Sequence, residues 1–379
     1  MPVSREILAD RIRAAMTEAG MTQQQLADAI DIDASALSRA LSGQRNFKSL
    51  EVALVAETLR VSVQSLLSEQ EQPAVLLAAR AQPDTTPALA SALARTEEYV
   101  ELDRLLADLG FAWAAALGGA PEEVAGSPHQ QGEALSVQLR SQLGVADEVF
   151  PYELSDFSDL LEKRLGIDIG FEPLPAGLDG LSVSSGGFRL ALVNSGISAT
   201  RQRFTLAHEI GHLLTGDSQV LRIDENVFGR KNPDEERANA FAAGFLMPAN
   251  ALKDSVPRGY VSEDLVAELL SRYGVSLDAL AFRLHNVGVI DAAGRDRIRS
   301  MSSTRIALRT GRTSDLQARG DRRVPGNLLY RAVEAYVQGK ISVKPLAKLL
   351  SVESDQLLDE LAPYRRRDRK ATESLEPAL

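Results

Sequence analysis

The chain has 379 residues, 44% apolar and 25% charged, a balance ordinary for soluble globular proteins and long enough for two or three domains. It contains no cysteine, which excludes disulfides and thiolate metal sites. The formal net charge of -10 excludes a basic nucleic-acid coat protein, so any DNA contact must rest on a local surface. No apolar run approaches the ~18 residues of a membrane span, and the N-terminal MPVSREILADRIRAAM is amphipathic rather than a signal peptide. A cytoplasmic protein without membrane partners is the expectation.

Residues 5–19 place Ile7, Leu8, Ile12, Ala15 and Met16 at helical spacing, with Gly20 as the stop. Thr22 is an N-cap for TQQQLADAI, with Gln25 closing a capping box, and Asp33 caps ASALSRAL, which Gly43 ends. Helices near 49–60 and at Val63–Leu67 complete a compact all-α domain over 1–69. Within it, residues 21–43 have the spacing of a helix-turn-helix. Leu26, Ala27, Ile30, Leu37 and Leu41 face inward and Ile32 anchors the turn. Ser35, Ala36, Ser38 and Arg39 are left outward, where they can reach a major groove, with Gln23 placed for a phosphate and Arg45, Asn46 and Lys48 following in the next loop as further DNA-contact candidates. The segment to residue 70 has seven Lys or Arg against nine Asp or Glu, so firm binding calls for a homodimer. Docking of a protein is the plain alternative. With T-Q-x-x-L-A and L-S-R-x-x-x-G, residues 7–68 resemble the lambda-repressor-like, XRE-type helix-turn-helix family, which implies double-stranded DNA as a partner.

Residues 70–130 read as a linker and helical connector. Pro- and Ala-rich sequence is followed by a helix over 92–118 carrying Trp113, then a loop holding an exposed His129. From 131 to 290 the pattern is α+β, with a small antiparallel or mixed sheet. Helices at 131–147 and 154–165 precede a strand in GIDIGFEPLP and a hairpin around Gly186-Gly187. Helices follow at 201–215, in DEERANAFAAGFLM, and at 262–272 and 276–286. The strand FRLALVN, residues 188–194, is a candidate edge for an extended substrate, the plain alternative being a core strand. Residues 291–323 are polar and unassigned, and helix returns over 326–362, giving a C-terminal helical region at 291–365 and a disordered tail at 366–379. Within that region ISVKPLAKLLSVESDQL mimics part of the N-terminal helix-turn-helix pattern, as a divergent repeat or a small substrate-docking element.

The chemistry concentrates in FTLAHEIGHLLTG, residues 204–216. Four residues turn a helix by about 400°, so His208 and His212 leave one face and can take two corners of a tetrahedral zinc. Glu209 stands at the edge of that face, free to take the proton of a zinc-activated water and pass it to a leaving amine. Burying two histidines here without partners would strand polar groups in a core, which argues against a purely structural pair. Gly211 leaves room for close packing behind the helix. The third ligand falls to the next helix, with Glu235 first and Glu236 as the near alternative, and Asn239 one turn on to orient a ligand histidine. His285, Tyr260 and Tyr273 are candidate oxyanion donors.

With RQRFTLAHEIGHLLTGD, ERANAFAAGFLMPA and FRLHNVGVI, residues 132–290 resemble the ImmA/IrrE family of metallopeptidases. The resemblance puts the histidine ligands on His208 and His212, the catalytic glutamate on Glu209 and the distal ligand on Glu235. It implies a zinc endopeptidase, with manganese as the alternative ion, that cuts a partner repressor or antitoxin-like protein and so switches on stress, mobile-element or prophage genes. The competing expectation is a DNA-binding regulator whose metallopeptidase-like domain senses a metal or ligand without proteolysis. An intact Glu209 favours the first, because a sensor does not need it.

Overall fold

A computed structural model describes residues 5–19, 21–59, 61, 63–67, 87–112, 125–216, 222–225, 232–256, 261–313 and 320–361. The linker at 68–86, Trp113, Tyr260 and the tail at 366–379 lie outside the described residues. The chain divides into two compact units, Met1–Thr85 and Thr86–Leu379. Among the described residues no helix is long and apolar enough to cross a membrane.

The first unit is helical: α1 Arg5–Glu18, α2 Gln23–Ala29, α3 Ala34–Leu41, α4 Ser49–Leu59 and α5 Val63–Leu67. The capping box forms as the sequence dictates, Thr22 accepting from the Gln25 amide while the Gln25 side chain accepts from the Thr22 N–H. Ile12, Met16, Leu26, Ala27, Ile30, Leu37 and Leu41 share one core with Val52, Val55 and Leu59. The helix-turn-helix is thus fixed by its own apolar positions.

The second unit opens with α6 Pro87–Asp108, α7 Pro128–Gln142 and α8 Leu154–Leu165. His129 does not lie in a loop: Ser127 caps α7 and Pro128 begins it, so His129 occupies the first turn. The sheet comprises β1 Asp168–Glu172, β2 Leu178–Ser185, β3 Phe188–Asn194 and β4 Arg222–Glu225, in the order β1-β3-β2-β4. β2 and β3 form the expected hairpin, with Gly186 and Gly187 both at positive φ (59° and 93°), as a two-residue type I′ turn requires. β1 pairs parallel to β3 in the register Asp168↔Leu190 to Glu172↔Asn194. Consequently β3 is a central strand with both edges occupied, and the expectation that it offers an edge to substrate fails.

Across the sheet lie α9 Ala199–Thr215, packed on β2 and β3, and α10 Pro233–Leu246, packed on α9 and α7. After them come α11 Ala249–Ser255, α12 Glu263–Tyr273 and α13 Leu277–Asn286. The unassigned stretch contains two more short helices, α14 Ala292–Arg299 and α15 Ser303–Thr310, capped by Asp291 and Ser302. Their Ile298 and Ile306 join the same core as Leu206, Ile210, Phe241 and Phe245. The described chain ends with α16 Gly326–Val337, α17 Val343–Leu350 and a helical stretch over 354–361. Arg323 and Phe171 bridge backbone to backbone beside β1, which brings the C-terminal helices to the sheet.

Candidate metal centre

Helix α9 runs from the Ser198 N-cap to Gly216, whose φ of 76° ends it. His208, Glu209 and His212 are all buried on it, at 3%, 2% and 1% exposure. The space behind is made by Gly211, where an added Cβ would sit 3.0 Å from the Phe241 ring and 3.4 Å from Ala238 Cα, so α10 approaches closely. The apolar face of α10, with Ala238, Phe241, Ala242 and Phe245, packs inward as its spacing requires.

That close crossing carries the N-terminal turn of α10 to the histidines. Asn232 caps the helix and Pro233 opens it, and Asp234, Glu235 and Glu236 follow at the positive end of its dipole. Glu235 Oε2 lies 3.2 Å from His208 Nε2, and Glu235 Oε1 lies 3.4 Å from His212 Nε2. The two Nε2 atoms are 3.0 Å apart. Glu236 is exposed and stands outside this cluster. Asn239 Oδ1 is 3.1 Å from His208 Nδ1 and accepts its proton in the tautomer that turns Nε2 toward Glu235.

These distances test whether a metal fits. Around a tetrahedral ion with bonds of 2.0–2.1 Å, neighbouring ligand atoms stand about 3.3 Å apart. The three donors are spaced at 3.0–3.4 Å, and two imidazoles with one carboxylate are a donor set that zinc accepts. Burial works against charge on Glu235, yet the hydrogen bonds and charges of His208 and His212 hold its carboxyl well below the usual carboxylate range.

On the sheet side, Gly180 of β2 faces α9, and a Cβ there would lie 2.7 Å from Thr205 Cγ2 and 2.8 Å from Glu209 Oε1. The strand backbone therefore walls the Glu209 carboxylate. Sequence reading missed Gly180. The available signal was a glycine inside a strand, which marks a close backbone approach. Of the oxyanion candidates, Tyr260 lies outside the described residues. Tyr273 is buried in the core with Arg272 over its ring, and His285 is half-buried in the last turn of α13.

In the first unit, Gln23, Ser35, Ser38, Arg39 and Lys48 are all exposed. Arg45 is engaged differently: its guanidinium makes two hydrogen bonds, of 3.1 and 2.9 Å, to the carboxylate of Glu51. Glu51 also accepts the Lys48 N–H at 2.9 Å. Burial pushes the Glu51 carboxyl up, but those bonds outweigh it and leave it below its ordinary range. Arg45 thus braces the start of α4.

Comparison with known proteins agrees with this division. Residues 12–66 match the family model of the helix-turn-helix, and residues 162–285 match that described as the IrrE N-terminal-like domain. The radiation response metalloprotease IrrE of Deinococcus radiodurans is 33% identical over 137 residues, covering 34% of this chain and 40% of that protein. The protein of the same name from Deinococcus deserti is 38% identical over 97 residues, covering 24% and 34%. The chain thus spans well under half the length of these relatives. Residues 162–285 are a domain of the ImmA/IrrE family, and the chain carries an XRE-type helix-turn-helix ahead of it.

Proposed function

We propose that the chain is a zinc-dependent endopeptidase that regulates transcription by cutting a partner repressor or antitoxin-like protein, brought to its place by the helix-turn-helix. The observation that carries this reading is the spacing of His208, His212 and Glu235, with the Glu209 carboxylate alongside, buried against β2. In this reading those three side chains hold the ion, and manganese is the alternative to zinc. When bound, zinc supplies a Lewis acid that makes water nucleophilic near neutral pH and polarises a peptide carbonyl. Glu209 accepts the proton of the attacking water and delivers it to the leaving amine. Asn239 keeps His208 in the tautomer that presents Nε2. The exposed Ser35, Ser38 and Arg39 of α3 read DNA in a homodimer, with Gln23 and Lys48 on phosphates.

The test is to incubate the zinc-loaded chain with the helix-turn-helix repressors encoded beside its gene and map any cut by mass. Glu209→Gln is expected to retain zinc and lose cleavage. Cutting by that variant at the parent rate would remove Glu209 from its role. Arg39→Ala is expected to weaken operator binding and leave proteolysis of a soluble substrate unchanged. An unaltered operator affinity would take Arg39 off the DNA.

A further inference from the structure

The C-terminal helices repeat the N-terminal ones position by position, 320 residues later in the chain. The three helices Arg5–Glu18, Gln23–Ala29 and Ala34–Leu41 have counterparts at Gly326–Val337, Val343–Leu350 and 354–361, with no insertion. Core positions correspond. Ile12, Ala15 and Met16 become Ala332, Ala335 and Tyr336, and Leu26, Ala27 and Leu37 become Leu346, Ala347 and Leu357, all of them buried. The backbone corresponds as well. Positive φ is uncommon outside glycine, yet Asp31 (53°) and Ser351 (57°) adopt it at matching places in the two turns. The next amide closes the turn in the same way, Ile32 to Ala27 at 3.1 Å and Val352 to Ala347 at 3.0 Å. Leu37 to Asp33 and Leu357 to Glu353 then begin the following helix alike, at 3.0 and 3.2 Å. Neither matched family segment extends to these residues.

What differs is the outward face. Where α3 presents Ser35, Ser38 and Arg39, the second copy presents Asp355, Leu358 and Asp359, followed by Glu360. All four of those residues are exposed, and no Lys or Arg lies between Glu353 and Leu361. Three carboxylates on a recognition helix repel a phosphate backbone. The same face, with an apolar Leu358 between its charges, suits a basic protein surface. The unit is also rigidly seated. Leu328 N–H donates to Asp168 at 2.8 Å, Gly326 N–H donates to Glu162 at 2.8 Å, and Arg331 pairs with Asp103 at 2.6 Å. It belongs to the same compact unit as the metal centre.

We propose that residues 326–361 form a second helix-turn-helix whose acidic recognition helix docks a partner protein instead of DNA, the partner's docking face being the basic, DNA-reading face of a helix-turn-helix repressor. This rests on the repressor-cutting reading above and deepens it, because a partner docked here is held on the unit that carries the proposed zinc site. DNA binding is the competing outcome.

The test uses the full-length zinc-loaded chain with Glu209→Gln, so that a partner is bound without being consumed. The probes are the XRE-type repressor encoded beside the gene and a short DNA duplex of random sequence. Asp355→Lys with Asp359→Lys, both at exposed positions, should weaken repressor binding about tenfold or more at low salt. In the chain with Glu209 intact, the same pair should leave cleavage of a short peptide spanning the cut site unchanged. Gln356→Lys provides a check at the centre of the face, with a smaller loss in the same direction. A repressor that is cut but bound equally by parent and reversed chains overturns the docking surface and leaves the protease standing. One that binds through the acidic face without being cut overturns the protease and keeps the docking surface. One that is neither bound nor cut overturns both. A photo-crosslinker at position 356 that captures the duplex in place of the repressor overturns the choice of protein over DNA.

Discussion

Thr205 and Glu209 are one turn apart on α9, and both press on the backbone of Gly180. A methyl group at that position needs space that both side chains already fill, and the carboxylate is the more mobile of the two. Gly180→Ala is therefore expected to displace the Glu209 carboxylate while His208, His212 and Glu235 keep their places. A shift of about 1 Å at a reacting group can cost roughly a hundredfold in rate. Cleavage measured beside zinc content by mass spectrometry checks this, with zinc retained and turnover reduced; full turnover would show that Glu209 has room to spare. The contrast between Gly180 and the histidines marks what was legible at this scale. His208, Glu209 and His212 sit within five residues on one helix, so their geometry is written in their spacing. Glu235 and Asn239 were legible for the same reason, one turn apart on the neighbouring helix. Gly180 and Arg45 were not. The first acts across a strand-to-helix contact between distant segments, and the second is turned from DNA toward Glu51 by the course of a loop.

At the scale of elements, the placement of Glu235 depends on α7, which precedes the matched peptidase segment. Gly132 of α7 lies so close to α10 that a Cβ there would sit 2.8 Å from Phe241 N and 2.9 Å from Ala240 Cβ, in contact with the Arg237 carbonyl. Farther along the crossing Gly244 packs on Ser136, and Gln131 accepts from Arg237 at 3.1 Å. Gly132→Val must push α10 outward, and its first turn carries Glu235. The expected result is a loss of roughly 1–3 kcal/mol in stability together with weaker zinc retention, read by thermal melting and by competition with a chelator. Zinc retention equal to the parent would show that α7 does not set the position of Glu235. The helices themselves were legible from caps and stops such as Thr22 and Gly43. The strand order was less so: FRLALVN reads as a strand in either setting, and only its parallel pairing with β1 makes it central. α14 and α15 were missed because each offers one buried large aliphatic, Ile298 or Ile306, among arginines and serines, although Asp291 and Ser302 were present as caps.

The whole molecule is strongly acidic, yet its second unit is knit together by buried and half-buried arginines set against carboxylates. Tyr99 donates to Glu172, Arg322 pairs with Glu172 at 2.9 Å, and Arg323 pairs with Glu162 at 2.6 Å, so α6, β1 and the approach to α16 meet in one polar network. Asp168 stands at its centre, 3% exposed, accepting the Leu328 N–H, with Arg331 at 3.7 Å. Burial, and then the neighbouring Glu162, push its carboxyl from an ordinary 3.8 up to about 7, against the pull of Arg331 and that N–H. A carboxyl whose pKa is higher folded than unfolded binds its proton more tightly in the native state. Its contribution is therefore fully present below about pH 4 and is lost as pH rises to about 7, so between those limits this group makes the fold less stable with every step toward neutrality. Asp168→Asn keeps the acceptor for Leu328 and removes the charge. Relative to the parent, it should melt several degrees higher at pH 8 and show little difference at pH 4, in melting followed by circular dichroism across that range. Parallel curves for the two chains would mean that Asp168 carries the same charge folded and unfolded, with Arg331 alone sufficient to hold it ionised. The second helix-turn-helix is anchored through this carboxylate, so the outcome also tells how firmly α16 is seated at the pH where the centre at His208, His212 and Glu235 would work.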